Sequence, residues 1–290
     1  VKTAAAMRIR VFLRGGLGNQ FFQWMHALQL AQDGHEVVLD TSFLRARAGN
    51  QAVGGLELEE VFGPLGHRIT HMPQLWRIEP VFSRAARWAG LLDSDTPRAS
   101  RTAPAPWQYG YFQHALNPHG THVQQARAAL GPSLASPQVP AERYAAIHLR
   151  IGDYGQSAYN RTQLGMLDMD YYHAACRQLL TQGSMLWLVV SDDYAAARSL
   201  CCALRLPGQP NLRFLDEQLG GRDTPRQALQ ALLHAQTLVC ANSSFSAMAA
   251  YIGQASTVYA PKPWFRGTRL SHLDPSGTAW TRIAATFRDA

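Results

Sequence analysis

The sequence predicts an α/β protein made of two Rossmann-like β/α/β domains, each built on a parallel sheet. Three observations carry that reading. Residues 8–13, R-I-R-V-F-L, form a strand-like run that ends in glycines, passes into apolar residues at helical spacing, and reaches a second run, E-V-V-L-D, ending at Asp40. G-P-S-L-A-S-P-Q-V-P (131–140) then interrupts the pattern as a linker. Beyond it the same alternation restarts at Y-A-A-I-H-L-R (144–150) and continues to T-V-Y-A (257–260). Strand, helix and strand in alternation is the pattern of parallel sheets covered on both faces. The expected domains are residues 7–138 and 139–290.

The elements follow in order. Phe22, Met25, Ala27, Leu28 and Leu30 place a helix over 19–32, closed by Gly34. In 43–92, Trp76, Phe82, Trp88 and Leu92 suggest helical packing. Residues 93–106 read as loop, and W-Q-Y-G-Y-F-Q (107–113) as an aromatic strand. In the second half, D-Y-Y-H-A-A-C-R-Q-L-L (170–180) is a helix stopped by Gly183, and M-L-W-L-V-V (185–190) is a buried strand running into S-D-D. Thr224, Pro225 and Gln227 make a helix start: an N-cap hydroxyl, proline at the first position and an amide three residues on. T-L-V-C-A (237–241) is a strand, N-S-S a turn, F-S-A-M-A-A-Y-I a helix closed by Gly253, and T-V-Y-A a further strand.

Composition narrows the function. The chain has 290 residues, 47% of them apolar, with no apolar run near the ~20 residues of a membrane span. The six residues ahead of Met7 read as an appended segment, and no secretory leader pattern is seen. Cys176, Cys201, Cys202 and Cys240 form neither a C-x-x-C pair nor a zinc spacing, which suits free thiols in the cytoplasm. The net charge is +7, and Lys2 and Lys262 are the only lysines. Arginine suits phosphate because its planar fork grips two oxygens. No concentrated basic run tracks nucleic acid, whereas a phosphorylated small molecule or an anionic membrane surface fits the charge.

The stretch R-G-G-L-G-N-Q-F-F-Q (14–23) admits three readings. As a dinucleotide turn, Gly16 and Gly18 fill two glycine places and Asp40 stands near the ribose-binding position, but Phe21 falls where the third glycine belongs. As a plain turn, the glycines supply positive φ and Asn19 a cap. As a ligand-facing turn, Gly15, Gly16 and Gly18 expose backbone, and Asn19 and Gln20 offer amides.

Three later strand ends gather polar groups. H-L-R-I-G-D-Y holds His148, Arg150 and Asp153, read either as an Arg–Asp ion pair or as a ligand site at the end of a parallel strand. S-D-D (191–193), with Asp192, is a helix cap or part of that site. A-N-S-S-F-S, with Asn242, Ser243, Ser244, Phe245 and Ser246, is a cap or an anion site at a helix start. Three such ends in one domain favour a nucleotide-diphosphate site.

These stretches together resemble the bacterial α1,2-fucosyltransferases of glycosyltransferase family eleven. R-G-G-L-G-N-Q-F-F-Q, W-Q-Y-G-Y-F, H-L-R-I-G-D-Y, L-D-M-D-Y-Y, S-D-D, N-S-S-F-S and A-P-K-P-W-F fall in that family's order over residues 8–265. The H-L-R-I-G stretch is also similar to the protein O-fucosyltransferases. The resemblance implies a GT-B architecture with its active site in the cleft between domains, GDP-fucose as donor, inversion at the sugar and no required metal or other cofactor. It implies a galactose-containing glycan or lipid-linked acceptor, fucosylated at O2 of galactose, and cytoplasmic work at the inner membrane surface. By the same carry-over Arg150 meets the donor phosphates; Asp153, the carboxylate nearest to it in sequence, either orients Arg150 or serves as a base. His148, Asp192, Asn242, Ser243, Ser244, Phe245 and Ser246 line the donor site, and Gly16, Gly18, Asn19 and Gln20 face it from the N-terminal domain. Ile151 stands where the family has a second arginine, and Ala247–Met248 replace an aromatic pair. D-S-D (93–95) and D-M-D (168–170) match a metal-binding pattern, although the first lacks a preceding buried strand and the second opens a helix. The competing readings are a protein O-fucosyltransferase, a nicotinamide-dependent oxidoreductase and a silent sugar-nucleotide-binding protein.

Overall fold

The computed structural model describes residues 6–45, 56–71, 79–89, 91–95, 104–114, 116–130, 139–152, 154, 158–183, 185–202, 212–221 and 224–288. The chain folds as two compact units: unit 1 is Val1–His114 with Gly120–Gly131, and unit 2 is Ala115–His119 with Pro132–Ala290. Most of the expected linker, 131–138, lies outside the described residues.

Unit 1 runs β1 (Arg8–Phe12), α1 (Leu17–Gln32), β2 (Glu36–Asp40), α2 (Ser42–Arg45), α3 (Glu57–Phe62), β3 (Arg68–Thr70), α4 (Glu79–Trp88), β4 (Leu92–Asp93), β5 (Trp107–Gln108) and α5 (Thr121–Ala128). The sheet order is β3-β2-β1-β5-β4, all parallel. The strand order reverses between β1 and β5, and polar residues follow both strands there. Gly34, at φ 90, turns the chain out of α1 after Asp33, as a helix-ending glycine does. Phe21 is fully buried, with its ring 5.4 Å from Phe22 and 6.1 Å from Phe62. An aromatic therefore fills the place where a dinucleotide turn needs a glycine for close helix–strand packing. Asp40 is also internal: it pairs with Arg10 at 2.7 Å and accepts from Ser42 N–H and the Thr70 hydroxyl.

Three expectations in this unit change. The aromatic strand over 107–113 is only two residues long. Phe112 takes φ 51, and its N–H donates to Asp95, whose carboxylate a Cβ on Gly110 would meet at 2.3 Å. The chain thus leaves the ladder to wrap that carboxylate. Asp93 ends a short strand instead of lying in loop. Trp88 ends α4 but is 91% exposed, so it does not pack as the sequence suggested, whereas Leu92 is buried. Trp76 lies outside the described residues.

Unit 2 contains β6 (Tyr144–Leu149), a π-helical turn (Asn160–Leu164), α6 (Met169–Thr181), β7 (Leu186–Ser191), α7 (Tyr194–Cys202), β8 (Leu212–Phe214), α8 (Leu215–Gln218), α9 (Pro225–Leu233), β9 (Thr237–Val239), α10 (Ser244–Ile252), β10 (Thr257–Lys262), a 3-10 turn (Thr268–Leu273) and β11 (Thr281–Ala284). Its all-parallel sheet has the order β11-β10-β9-β6-β7-β8. Numbered from β6, that is the doubly wound order 3-2-1-4-5-6, which reverses between β6 and β9. Every residue of β6 and β7 is buried, so their apolar runs are continuous instead of alternating. Ala145, Ile147, Leu149, Trp187 and Val189 pack against Tyr171, Tyr172, Cys176 and Leu179 of α6 and Ala197 and Cys201 of α7. The capping box at Thr224 forms, with Gln227 reaching back to the Thr224 N–H at 2.9 Å. Gly253 ends α10 for want of room: a Cβ there would lie 2.5 Å from the Ala249 carbonyl and 2.9 Å from that of Leu233. The sequence reading passed over the short strands β3, β8 and β11, which carry too few residues to show a period.

Candidate functional site

The strongest polar cluster lies at the carboxyl ends of the unit 2 strands, around the reversal between β6 and β9. In open α/β sheets this is where a crevice forms, because the connections leave in opposite directions. Arg150 follows β6 directly. Its Nη1 lies 3.2 Å from Asp192 Oδ2, and both side chains keep about a quarter of their surface in solvent, 29% and 24%. Asp192 follows β7, the neighbouring strand. Its two oxygens also accept the N–H groups of Ile151 at 2.8 Å and Gly152 at 3.1 Å. One carboxylate thus holds the post-β6 turn and orients the guanidinium. Gly152 is needed for this grip, since a Cβ would stand 2.8 Å from Asp192 Oδ2. Asp192 is therefore more than a helix cap. The adjacent Asp193 performs that task for α7, accepting from the Ala196 N–H at 3.0 Å.

Strand alternation turns His148 to the face opposite Ile147 and Leu149. There its ring lies 5.9 Å from that of Phe245. It is 3% exposed, and its Nδ1 has no hydrogen-bond partner among the described residues. Burial pulls its pKa down to about 4, against a raising pull from Asp192 and with a lowering push from Arg150. The imidazole is thus neutral at physiological pH, leaving Arg150 as the cation of this turn. Asp153 lies outside the described residues.

The third strand end is rigid. Ser243 caps α10, its Oγ accepting from the Phe245 N–H at 3.3 Å. Ser246 is buried and donates to the Ala241 and Ser243 carbonyls, each at 3.1 Å. Asn242 directs its amide away from the helix start, donating to the Leu164 carbonyl at 3.1 Å and that of Gly165 at 2.8 Å. Tyr154 joins the two strand ends: its hydroxyl donates to the Asn242 carbonyl at 2.8 Å, and the Arg150 guanidinium lies 5.7 Å from its ring centre. Ser244, half-buried, opens the helix, and the positive end of the backbone dipoles lies there. The cluster has the chemistry of an anion site: a fixed guanidinium, a helix N-terminus and a braced turn.

The opening motif forms a second cluster, in unit 1. Gly15 has φ 78, and a Cβ there would meet Asn19 Nδ2 at 2.3 Å, so glycine is required. Gly16 is the N-cap of α1 with open space where a Cβ would stand, and Gly18 lies buried within the helix. Gln20 is buried and donates to the Gly15 carbonyl at 3.0 Å, which locks the turn from inside. Asn19 is half-buried, and its Oδ1 accepts from Gln113 Nε2 at 2.6 Å. Glu57 accepts the Leu17 N–H at 3.2 Å, and burial raises its pKa. The structure also brings Arg14, Tyr109, Gln113, Glu57 and Tyr154 to these two clusters, and the sequence reading did not name them. The G-D-Y and G-Y-F-Q stretches were the available signals for Tyr154 and Gln113.

In the two D-x-D stretches Asp93, Asp95 and Asp168 each accept a backbone N–H. Asp93 accepts from the Ala105 N–H at 2.5 Å, and Asp168 caps α6 by accepting from the Met169 N–H at 2.7 Å. Among the described residues no three His, Cys, Asp or Glu side chains gather in a metal-holding group. Among the same residues no helix is long and apolar enough to cross a membrane.

Comparison with known proteins gives a partial match. No protein-family profile matches the sequence. The chain is similar to an Escherichia coli O-antigen biosynthesis glycosyltransferase, WbnK, at 28% identity over 132 residues. That stretch is 44% of this chain and 41% of the relative, so the match spans less than half of the relative's length. Among solved structures it is similar to the E. coli ADP-heptose lipopolysaccharide heptosyltransferase II, with 11% identity, a TM-score of 0.43, and 95% and 90% of the two chains covered. It is also similar to E. coli heptosyltransferase WaaC with ADP, with 12% identity, a TM-score of 0.37, and 95% and 91% covered. The fold assignment rests on the two parallel sheets of this chain itself.

Proposed function

We propose that the protein is a glycosyltransferase that uses a sugar nucleotide, and that its donor is GDP-fucose. The observation that carries the reading is the pairing of Arg150, held by Asp192, with the start of α10 at the strand-order reversal of unit 2. A sugar-nucleotide diphosphate is the ligand such a site suits. The similarity to a protein named for O-antigen biosynthesis supports a glycan acceptor. The family-eleven motifs support L-fucose as the sugar and O2 of a terminal galactose as the acceptor atom. Two Rossmann-like units are also what a GT-B transferase is built from.

In the proposed reaction the acceptor hydroxyl attacks the fucose anomeric carbon from the face opposite GDP. The new carbon–oxygen bond forms as the bond to the β-phosphate oxygen breaks. The hydroxyl proton leaves to solvent or a base, and GDP takes the electron pair. Negative charge grows on the β-phosphate, and a guanidinium already in place stabilises that charge more in the transition state than in the ground state. Asp192 keeps the guanidinium oriented, and neutral His148 adds no competing charge. No metal is assigned a role in this scheme. The setting we propose is the cytoplasmic face of the inner membrane.

The test is GDP release from GDP-fucose, with and without a β-galactoside such as lactose, in the presence of EDTA. Acceptor-dependent release supports the reading, and product analysis then assigns the linkage. No release and no GDP-fucose binding by calorimetry overturns the donor. A parallel series with ADP-heptose and UDP-sugars shows whether another nucleotide sugar takes its place, and a panel of protein acceptors tests the O-fucosyltransferase alternative.

A further inference from the structure

Beyond β10, unit 2 carries a lobe that the candidate site does not use. Three segments meet there around Gly165: the π-helical turn, the chain from Lys262 into the 3-10 turn, and residues 286–288 that follow β11. The Arg266 N–H donates to the Leu164 carbonyl at 3.1 Å, the Gly267 N–H to that of Gln163 at 2.9 Å, and the Arg288 N–H to that of Met166 at 2.9 Å. Gly165 has φ 75, and a Cβ there would stand 2.6 Å from the Phe287 ring and 2.7 Å from Arg266 Cβ, so the segments close tightly on it. Asn242 fastens this lobe to the candidate site through the Leu164 and Gly165 carbonyls.

Its outer residues are basic. Residues 158–165, 262–274 and 284–289 hold five arginines or lysines against two aspartates. Lys262, Arg266, Arg269 and Arg288 are exposed. Arg266 Nη1 donates to the Arg288 carbonyl at 3.0 Å, which draws the two arginines together. Of the aspartates, Asp274 is held by Arg282 at 2.7 Å, and Asp289 lies outside the described residues. Asp168 caps α6, and Asp170 stands exposed in its first turn. Among the described residues Lys262, Arg269 and Arg288 make no side-chain ion pair. Tyr159, directly before the π-helical turn, is 61% exposed. Like charges held together repel one another, and an anionic surface relieves that repulsion.

We propose that this lobe is the patch by which the protein docks on an anionic phospholipid bilayer, with Lys262, Arg269 and Arg288 against the headgroups and the Tyr159 ring in the interface. The inference gives a surface to the membrane setting proposed above, and it rests on the lobe alone and not on the choice of donor. A nucleic-acid strand suits a groove whose cations track its backbone. Here the cations stand on turns gathered around one glycine, and beside them is a tyrosine, a residue whose amphipathic ring sits at headgroup level. Headgroup phosphates match the flat fork of arginine. Docking by this lobe would hold the Arg150 site of the same unit close to a glycan carried on lipid.

The experiment is cosedimentation of the full chain with vesicles of phosphatidylcholine alone, and of phosphatidylcholine with phosphatidylglycerol in a two-to-one ratio. The expected result is binding at least about tenfold tighter to the anionic vesicles, since each arginine near such a surface adds roughly fivefold. The difference should shrink as salt is raised. Arg269→Glu with Arg288→Glu is expected to remove that preference. Arg177→Glu with Arg226→Glu, the same charge change on exposed residues of α6 and α9, is expected to keep binding within about threefold. Tyr159→Ser should weaken binding severalfold at every salt concentration. Equal binding of the unmodified chain to both vesicles overturns the proposal. So does an equal loss in the two charge variants, which would trace the binding to net charge. Binding to a short DNA duplex as tight as to the anionic vesicles, and lost in the same variant, overturns the bilayer as the partner. A Tyr159→Ser chain that binds like the unmodified one overturns the part given to the ring. Should the lobe variant fail to fold, as read by its thermal melt, Arg269→Gln with Arg288→Gln decides: an unchanged preference for anionic vesicles overturns the proposal. GDP release is read separately, so loss of the transferase reading leaves the vesicle result standing.

Discussion

The two strand-order reversals use opposite means to shape a turn. In unit 2 the turn after β6 is held by charge: Asp192 takes two backbone N–H groups and a guanidinium. In unit 1 the turn after β1 is held by neutral amides: Gln20 closes on Gly15, Asn19 pairs with Gln113, and Gln23 bridges to Gly110. Unit 2 keeps the guanidinium on a carboxylate, and unit 1 keeps its own between aromatic rings. A carboxylate orients a guanidinium through charge and hydrogen bonds, whereas aromatic faces orient it through the ring quadrupole.

The largest expected effect separates chemistry from scaffold. Arg150→Ala is expected to lower turnover by about 10²–10³ while the melting temperature changes little, because the side chain is partly exposed and the loss falls on transition-state charge. GDP release on GDP-fucose measures the first and calorimetry the second; near-normal turnover would remove Arg150 from the mechanism. Asn242→Ala is next. It removes two hydrogen bonds to the Leu164 and Gly165 carbonyls, with an expected cost of about 2 kcal/mol in denaturant unfolding. A variant as stable as the unmodified protein would show that the π-helical turn does not depend on it.

Gly15→Ala tests unit 1. A positive φ together with a 2.3 Å approach to Asn19 predicts a loss of about 1–3 kcal/mol. An unchanged denaturation midpoint would mean that the turn has another conformation open to it. The gentlest test is pH. His148 is neutral when folded, with its pKa pulled down to about 4, and the unfolded chain takes up that proton near 6.5. Its contribution is therefore complete above pH 6.5 and is lost as pH falls toward 4, at up to about 1.4 kcal/mol per pH unit. Burial also lowers His26 and His114 of unit 1, which adds to the slope in the same direction. Melting temperatures from pH 7 to 4.5 should fall, and His148→Gln should flatten the curve; a parallel curve would assign the slope to unit 1.

The long buried strands and their helices were legible because each has enough residues to show a period. β6, β7, α1 and α6 lie close to their expected bounds, and the capping box at Thr224 is written in adjacent residues. The short strands were not legible, because β4 and β5 have two residues each and are defined by their pairing, β5 with β1 and β4 with β5. Trp88 shows the limit from the other side: an aromatic at helical spacing announces a helix without saying which face is covered. In the candidate site, Arg150, Asp192 and the Asn242–Ser246 turn could be named from the sequence because each ends a readable strand. What Asn242 and Gln20 bond to depends on partners 78 and 5 residues away. Tyr109 and Tyr111 were read as strand residues and not as holders of a cation.

The sequence by itself determined the local elements, the two-fold restart of the β/α rhythm and the residues at the strand ends, since these depend on near neighbours in the chain. Only the tertiary structure decided which strand lies beside which, and so which ends meet. The order 3-2-1-4-5-6 in unit 2 places the end of β6 next to that of β9, and no local pattern states it. Parallel pairing joins segments far apart in sequence, and the free energy that selects the order comes from burying both faces of the whole sheet.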